Sequence, residues 1–225
     1  MVGLGGCFKT KDKSKKIKVM KKSFRFPAIF LLIAAFSSVV AAQKIDRIEP
    51  PSWFTGMNPN IYKMVLSFIL TTRGIPQFYY GTEIVMEGDK NLGDGYLRQD
   101  FPGGWNGDSR NAFTGQNLDA TQKEAYAFTK KLLNWRKGKE VIHSGKLKQF
   151  IPENNLYVYF RYNDKESIMI ILNNSDKETR TITRDRYLEA MDGFTHGNEV
   201  ITGTEINDLS SFKIGPKTAM IIELK

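Results

Sequence analysis

Four acidic side chains, Glu83, Asp94, Asp100 and Asp108, fall within one stretch rich in Gly, Asp and Asn, with Tyr80, Arg98 and Trp105 interspersed among them. Two carboxylates held at a fixed separation can share acid, base and nucleophile roles, so this is the first place to look for hydrolytic chemistry. The same stretch contains Asp89-Lys90-Asn91-Leu92-Gly93-Asp94-Gly95, which hints at a calcium loop. An EF-hand requires Gly at its sixth position, where Asp94 stands, so a polar turn is expected there with calcium as the alternative. No other cofactor is expected. His143 and His196 are the only histidines, and neither sits in a metal spacing or beside a Gly-x-Ser-x-Gly elbow. Cys7 is the single cysteine, which removes disulfides and thiol chemistry from everything that follows it. Asn173-Asn174-Ser175 matches a glycosylation acceptor, but a hairpin turn explains it equally well.

The elements that would position these residues can be read from pattern. Asn58 is a candidate cap with Pro59 at the first helical position, and Ile61, Met64, Val65, Phe68 and Ile69 follow at helical spacing until Arg73 and Gly74. Ile75-Pro76-Gln77-Phe78-Tyr79-Tyr80, bounded by Gly81, has the length and aromatic content of a buried strand. Residues 87–118 lack a sustained period and are expected to form a long loop. Thr121 and Glu124 fit a capping box, and Ala125, Phe128, Leu132 and Trp135 line one face of a helix that runs to Gly138. From Lys146 the pattern changes to short β-rich runs, at 146–151, 156–162, 167–172, 179–183 and 218–224, separated by turn residues. An antiparallel sheet or sandwich is expected there.

The other end of the chain reads as an address. Lys21, Lys22 and Arg25 precede an apolar run from Ala28 to Val40, and Val40 and Ala42 satisfy the small-residue rule for cleavage before Gln43. Export to the periplasm or the exterior is expected, with a membrane anchor as the alternative reading. The formal charge of +9 is concentrated in this leader: nine of the 33 Lys and Arg residues lie in residues 1–42 with one acidic residue, leaving +1 beyond. Without a basic stripe outside the leader, the electrostatic footprint of a nucleic-acid binder is missing, so no nucleic-acid partner is expected.

The segment Leu70-Thr71-Thr72-Arg73-Gly74-Ile75-Pro76-Gln77-Phe78-Tyr79-Tyr80-Gly81-Thr82-Glu83-Ile84 resembles the last helix-to-strand passage of the α-amylase superfamily barrel. Gly93-Asp94-Gly95-Tyr96-Leu97-Arg98-Gln99-Asp100-Phe101-Pro102-Gly103-Gly104-Trp105 is similar to the following loop in the neopullulanase and cyclomaltodextrinase branch, especially in periplasmic starch-utilisation enzymes. Leu132 to Gly138 matches the Leu-x-x-Trp-Arg-Lys-Gly end of the final barrel helix, and residues 146–225 look like the C-terminal β-sandwich that follows it. Ile45–Met57 looks like the opening strand of that branch's N-terminal sandwich.

The resemblance implies an α/β remnant, the last helix-strand-helix of a (β/α)8 barrel, followed by an all-β sandwich. It divides the chain into a leader at 1–42, an N-terminal sandwich remnant at 43–59, a barrel remnant at 60–145 and the C-terminal sandwich at 146–225. It also implies retaining hydrolysis of α-glucosidic bonds by an Asp nucleophile, a Glu acid and a second Asp, with α-glucan oligosaccharides as partners. In that family the helix seen here is preceded by an Asn-His-Asp motif, and this sequence contains none. A join near Asn58 to Asn60 and loss of the catalytic segment are therefore expected, with no catalytic residue and no metal ligand assigned. Strand 75–80, lacking barrel neighbours, is expected to be marginally ordered. Tyr80, Glu83, Arg98, Asp100 and Trp105 are the candidate substrate-binding residues, the aromatics to stack on sugar rings and the charged groups to bond hydroxyls. The competing assignment packs Tyr80 in the barrel, pairs Arg98 with Asp100 and lays Trp105 over the loop. Two functional readings stand at this point: an inactive fragment of an exported α-glucan hydrolase, or a non-catalytic carbohydrate-binding or assembly module. Oligomeric state is left open.

Overall fold

The computed structural model describes residues 59–225. The leader, the 43–58 segment and the proposed Asn58 cap lie outside them.

Helix α1, Pro59–Thr71, opens on the proline that a first helical position favours. It buries Tyr62, Leu66 and Leu70 on one ridge with Met64, Ser67 and Thr71 beside it, so of the expected Ile61, Met64, Val65, Phe68 and Ile69 only Met64 is buried and the others are partly exposed. The helix is apolar nearly all round, so periodicity could not fix which face turns inward.

Residues 75–79 form no strand, which corrects the expected strand at 75–80. Gly74 takes a φ of 117° and Ile75 is 97 % exposed. With no strand beside this stretch among the described residues, its backbone has no ladder to join, and the chain passes into a 3-10 turn at Thr82–Ile84. A short helix α2, Asp94–Leu97, interrupts the long loop.

Helix α3, Ala120–Lys137, buries Ala125, Phe128 and Leu132, the expected face, and stops at Gly138. Its cap, Asp119, lies two residues before the expected Thr121. Asp119 accepts from the Gln122 amide at 2.8 Å while the Gln122 side chain accepts from the Asp119 amide at 3.3 Å. Thr121 sits inside the first turn, and Glu124 instead pairs with Lys63 of α1 at 2.5 Å. A single-turn helix α4, Glu140–His143, then leads to the sheet.

Eight strands follow: β1 Lys146–Gln149, β2 Leu156–Tyr162, β3 Ser167–Asn173, β4 Arg180–Thr183, β5 Gly197–Glu199, β6 Glu205–Ile206, β7 Ser211–Ile214 and β8 Thr218–Leu224. Between β4 and β5 lies helix α5, Leu188–Met191. The main sheet runs β1-β2-β3-β8-β5-β6, and β4-β7 forms the second layer, with all neighbouring strands antiparallel. Short β5, β6 and β7 carry too few apolar residues to stand out in the sequence.

The central strands are buried on both faces, which is why β2 and β3 read as nearly continuous apolar runs. Tyr159, Ile170 and Ile221 lie in register across β2, β3 and β8 and pack against Leu66, Leu70, Phe128 and Leu132 of the helices. Phe160, Met169 and Ile222, one residue along each strand, face the other way onto Ile182, Tyr187, Met191 and Ile214 of the second layer. The sheet is therefore the shared wall of two cores, one of them completed by α1 and α3.

Candidate functional site

Three side chains of the 132–138 motif fasten α3, two of them to the sheet and one to α1. Leu132 is fully buried in the helix-side core. Trp135 Nε1 donates to Glu223 Oε1 of β8 at 2.6 Å, and Arg136 Nε donates to the Leu70 carbonyl of α1 at 2.8 Å. Lys139 bridges Glu223 at 2.9 Å and Glu166 at 3.1 Å. Burial pushes the Glu223 carboxyl up, but the Trp135 N–H and the Lys139 ammonium outweigh it and hold the group below its ordinary range. From the sheet side, Arg161 reaches back. It is 1 % exposed, with Nη1 donating to the Thr71 and Thr72 carbonyls at 3.0 and 2.9 Å, Nη2 to Gly145 at 2.8 Å and Nε to Lys146 at 3.3 Å. A guanidinium at a helix C-terminus satisfies its orphan carbonyls and complements its dipole. Burial lowers the pKa of both arginines, yet a guanidinium stays protonated.

On the far side of the helices lies a cavity of about 530 Å³, walled by Tyr62 and Lys63 of α1, Val85 and Met86, Asp100, Arg110, and Gln122 and Glu124 of α3. The Tyr62 hydroxyl on its wall donates to the Thr82 carbonyl at 3.0 Å and lies 2.7 Å from Thr129 Oγ1. Burial, with the Glu83 charge as a lesser cause, raises the Tyr62 hydroxyl pKa. Tyr62, Lys63 and Arg110 were not singled out from sequence, and Glu124 was expected only as part of a helix cap. Their signal is weak, because each belongs to an ordinary helix or loop pattern.

The five expected substrate residues do not converge on one point. Tyr80, Arg98 and Asp100 come together: the Tyr80 hydroxyl donates to the Gln99 carbonyl at 3.0 Å, and its pKa is raised by burial, Tyr79 and the Asp100 charge, against Arg98. Asp100 also forms part of the cavity wall. Arg98 pairs with Asp94 at 3.6 Å, not with Asp100. Glu83 sits half-buried in the 3-10 turn, on the Tyr62 side. Trp105 is 67 % exposed on a separate turn of the loop.

The loop around Trp105 is held by polar side chains. Asp108 Oδ2 accepts from the Gly103 and Trp105 amides at 2.8 and 3.1 Å. Asn111 Oδ1 accepts from Phe113 and Thr114 amides at 2.9 and 3.1 Å. Gly103 takes a φ of 94° with Asn111 so close that a Cβ would sit 2.6 Å from it. The Asp89–Gly95 stretch, expected as a polar turn, holds a 3-10 helix at Lys90–Leu92 and the start of α2, with Asp89 Oδ1 accepting from the Asn91 amide at 2.9 Å. Among the described residues no three His, Cys, Asp or Glu side chains are placed to hold a metal ion. Asn173 is fully buried, donating from Nδ2 to the Glu178 and Gly215 carbonyls at 2.9 and 2.8 Å, so it serves the fold and is closed to a glycan. His143 Nε2 lies 3.0 Å from the Arg136 carbonyl, and His196 Nδ1 lies 3.1 Å from Thr195 Oγ1.

Against known proteins, residues 147–223 match the family model described as the cyclo-malto-dextrinase C-terminal domain. Homologues of the chain extend the match into the helices: a cyclomaltodextrin glucanotransferase of Geobacillus stearothermophilus is 26 % identical over 168 residues, 72 % of this chain and 21 % of that protein. Alpha-amylase 3 of Dictyoglomus thermophilum is 24 % identical over 192 residues, 75 % of this chain and 37 % of that protein. The chain thus spans about a fifth to two fifths of the length of these relatives. Among solved structures, the alpha-amylase of Geobacillus thermoleovorans complexed with acarbose aligns with a TM-score of 0.53 and 20 % identity, over 75 % of this chain and 34 % of that one. AmyP in complex with maltose aligns with a TM-score of 0.54 and 16 % identity, over 81 % and 36 %. The fold of a few helices followed by an antiparallel sandwich is that of the C-terminal part of α-amylase-family enzymes.

Proposed function

We propose that this chain derives from an exported α-glucan hydrolase of the neopullulanase or cyclomaltodextrinase type, and that its own residues bind but do not cleave α-glucosidic bonds. The observation that carries this reading is the state of the carboxylates. Retaining cleavage needs two of them opposed at about 5 to 5.5 Å across the bond. Asp94 pairs with Arg98, Asp108 holds the loop amides, Asp119 caps α3 and Glu124 pairs with Lys63. Glu87 and Asp100 on the cavity wall and Glu83 beside Tyr62 are the carboxylates left there, two on loops and one in a 3-10 turn, without the strand that would fix their separation. The missing Asn-His-Asp motif supports the same reading.

Glucan partners are supported by the relatives solved with acarbose and maltose. The surface offered here is Tyr80, Glu83, Arg98, Asp100 and Trp105, of which Asp100 lines the cavity. Export rests on the leader at 1–42, with cleavage near Ala42 and Gln43. Calcium is not part of the proposal.

The test is a paired measurement on the purified chain. Reducing-sugar release from starch, pullulan and cyclodextrin is expected to equal that of a vector control, and calorimetric titration with maltotriose is expected to give a weak saturable signal. Sugar release above control overturns the absence of cleavage, and a flat titration overturns glucan binding.

A further inference from the structure

The turn that carries Trp105 also carries the chain's one Asn-Gly pair, Asn106-Gly107. Both residues are exposed. Gly107 takes a φ of 95°, and a Cβ built on it would meet nothing within 4 Å, so the space beside its amide is open. The flanking amides are engaged: Gly104 donates to the Phe101 carbonyl at 3.1 Å, Trp105 to Asp108 Oδ2 at 3.1 Å and Asp108 to the Trp105 carbonyl at 3.3 Å. The Gly107 amide takes part in none of the hydrogen bonds of the described residues. A glycine amide without a hydrogen bond, next to an exposed asparagine, combines an unhindered nucleophile with a neutral electrophile.

We infer that Asn106 is a site of spontaneous covalent conversion to aspartate and isoaspartate in the folded chain. Hydroxide removes the Gly107 amide proton, and the nitrogen attacks Asn106 Cγ. The new N–Cγ bond forms as the Cγ–Nδ2 bond breaks, and Nδ2 leaves as ammonia with a proton from water. The five-membered succinimide then takes up one water at either carbonyl, giving an aspartyl or an isoaspartyl link. No electrons are exchanged, and water is the only co-reactant. Two Asp-Gly pairs, Asp94-Gly95 and Asp192-Gly193, could cyclise by the same route. Their ionised carboxylates are poorer electrophiles than an amide, and Asp94 is further held by Arg98 at the start of α2.

The isoaspartyl link inserts an extra main-chain carbon between residues 106 and 107. Asp108 then cannot keep both the Gly103 and the Trp105 amides while its own amide reaches the Trp105 carbonyl, so the turn that presents Trp105 opens.

The test is timed incubation of the full chain in mildly alkaline buffer, followed by peptide mapping by mass spectrometry and labelling with protein isoaspartyl methyltransferase. The peptide spanning Trp105 to Arg110 is expected to gain the mass of an amide-to-acid conversion and to carry the label, and Asn106→Gln is expected to lose both while retaining the wild-type circular dichroism spectrum. A synthetic peptide of residues 103–110 serves as the unconstrained reference. Conversion of that peptide without conversion of the folded chain overturns the inference, as does label on Asp192 equal to that on residue 106.

Discussion

Arg161 offers the sharpest test of how the helical part is fastened to the sandwich. Replacing it with Met keeps the apolar stem and removes a guanidinium that serves four carbonyl oxygens, those of Thr71, Thr72, Gly145 and Lys146. An acceptor left without a partner in a buried site costs about 1 to 3 kcal/mol. Three of these four bonds are only part-buried, so water restores some of the loss, and the net cost comes to about 3 to 5 kcal/mol. That is a large share of the about 5 to 15 kcal/mol that holds a typical domain together. With a urea slope of about 2 kcal/mol per molar, the unfolding midpoint of Arg161→Met should fall by about 2 M. Arg161→Lys should recover only part of it, because an ammonium is a point donor and cannot span both segments. Hydrogen exchange in α1 should rise in step, since the last turn of that helix loses its cap. A midpoint within about 0.5 M of the wild type would refute the argument, showing that the carbonyls are served by water as well as by the arginine.

The joint between α3 and β8 predicts a pH signature. Glu223 titrates low in the fold, so its stabilisation is present above its unfolded pKa of about 4.3 and is lost as pH falls through the lower folded value. Lys139 titrates high, its two carboxylate partners outweighing burial, so its part is present below about pH 10.4 and lost as pH rises through the folded value. Glu223→Gln should therefore cost about 1 kcal/mol near neutrality, discounted for partial exposure, and almost nothing in strong acid, as read from thermal melts across pH. Leu132→Ala should cost about 2 to 5 kcal/mol by leaving a void against the sheet, measured by urea unfolding. For the helix cap, Asp119→Ala should cost about 1 kcal/mol while Thr121→Ala stays near neutral, and the reverse order would show that the cap is misplaced. A piece covering residues 146–225 alone should aggregate where one covering 117–225 stays soluble in size-exclusion chromatography, because without α3 the Tyr159, Ile170 and Ile221 face is bare.

Much of this was legible in the residues themselves. The runs at 156–162 and 218–224 coincide with β2 and β8, and the α3 face of Ala125, Phe128 and Leu132 is the one buried, because in each case local pattern and tertiary burial agree. The resemblance carried by residues 70–84, 93–105 and 132–138 led to the fold and to the C-terminal domain at 147–223. Where local and tertiary demands diverge, the sequence left choices open. An apolar run such as 75–80 is a strand only if a neighbour supplies its ladder, and here Ile75 stands in solvent. The inward face of α1 was set by what packs on it, since its own apolar residues surround the axis. The Thr71 and Thr72 carbonyls that Arg161 reaches, and the Glu223 carboxylate that Trp135 reaches, lie 88 to 90 residues away, and no local rule selects among polar side chains at such separations. Composition and periodicity determined α3, the long central strands and where the chemistry-bearing residues lie along the chain. Only the tertiary structure decided that Asp94, Asp108, Asp119 and Glu124 are occupied in holding the fold, because a carboxylate's role is fixed by the donor that reaches it first.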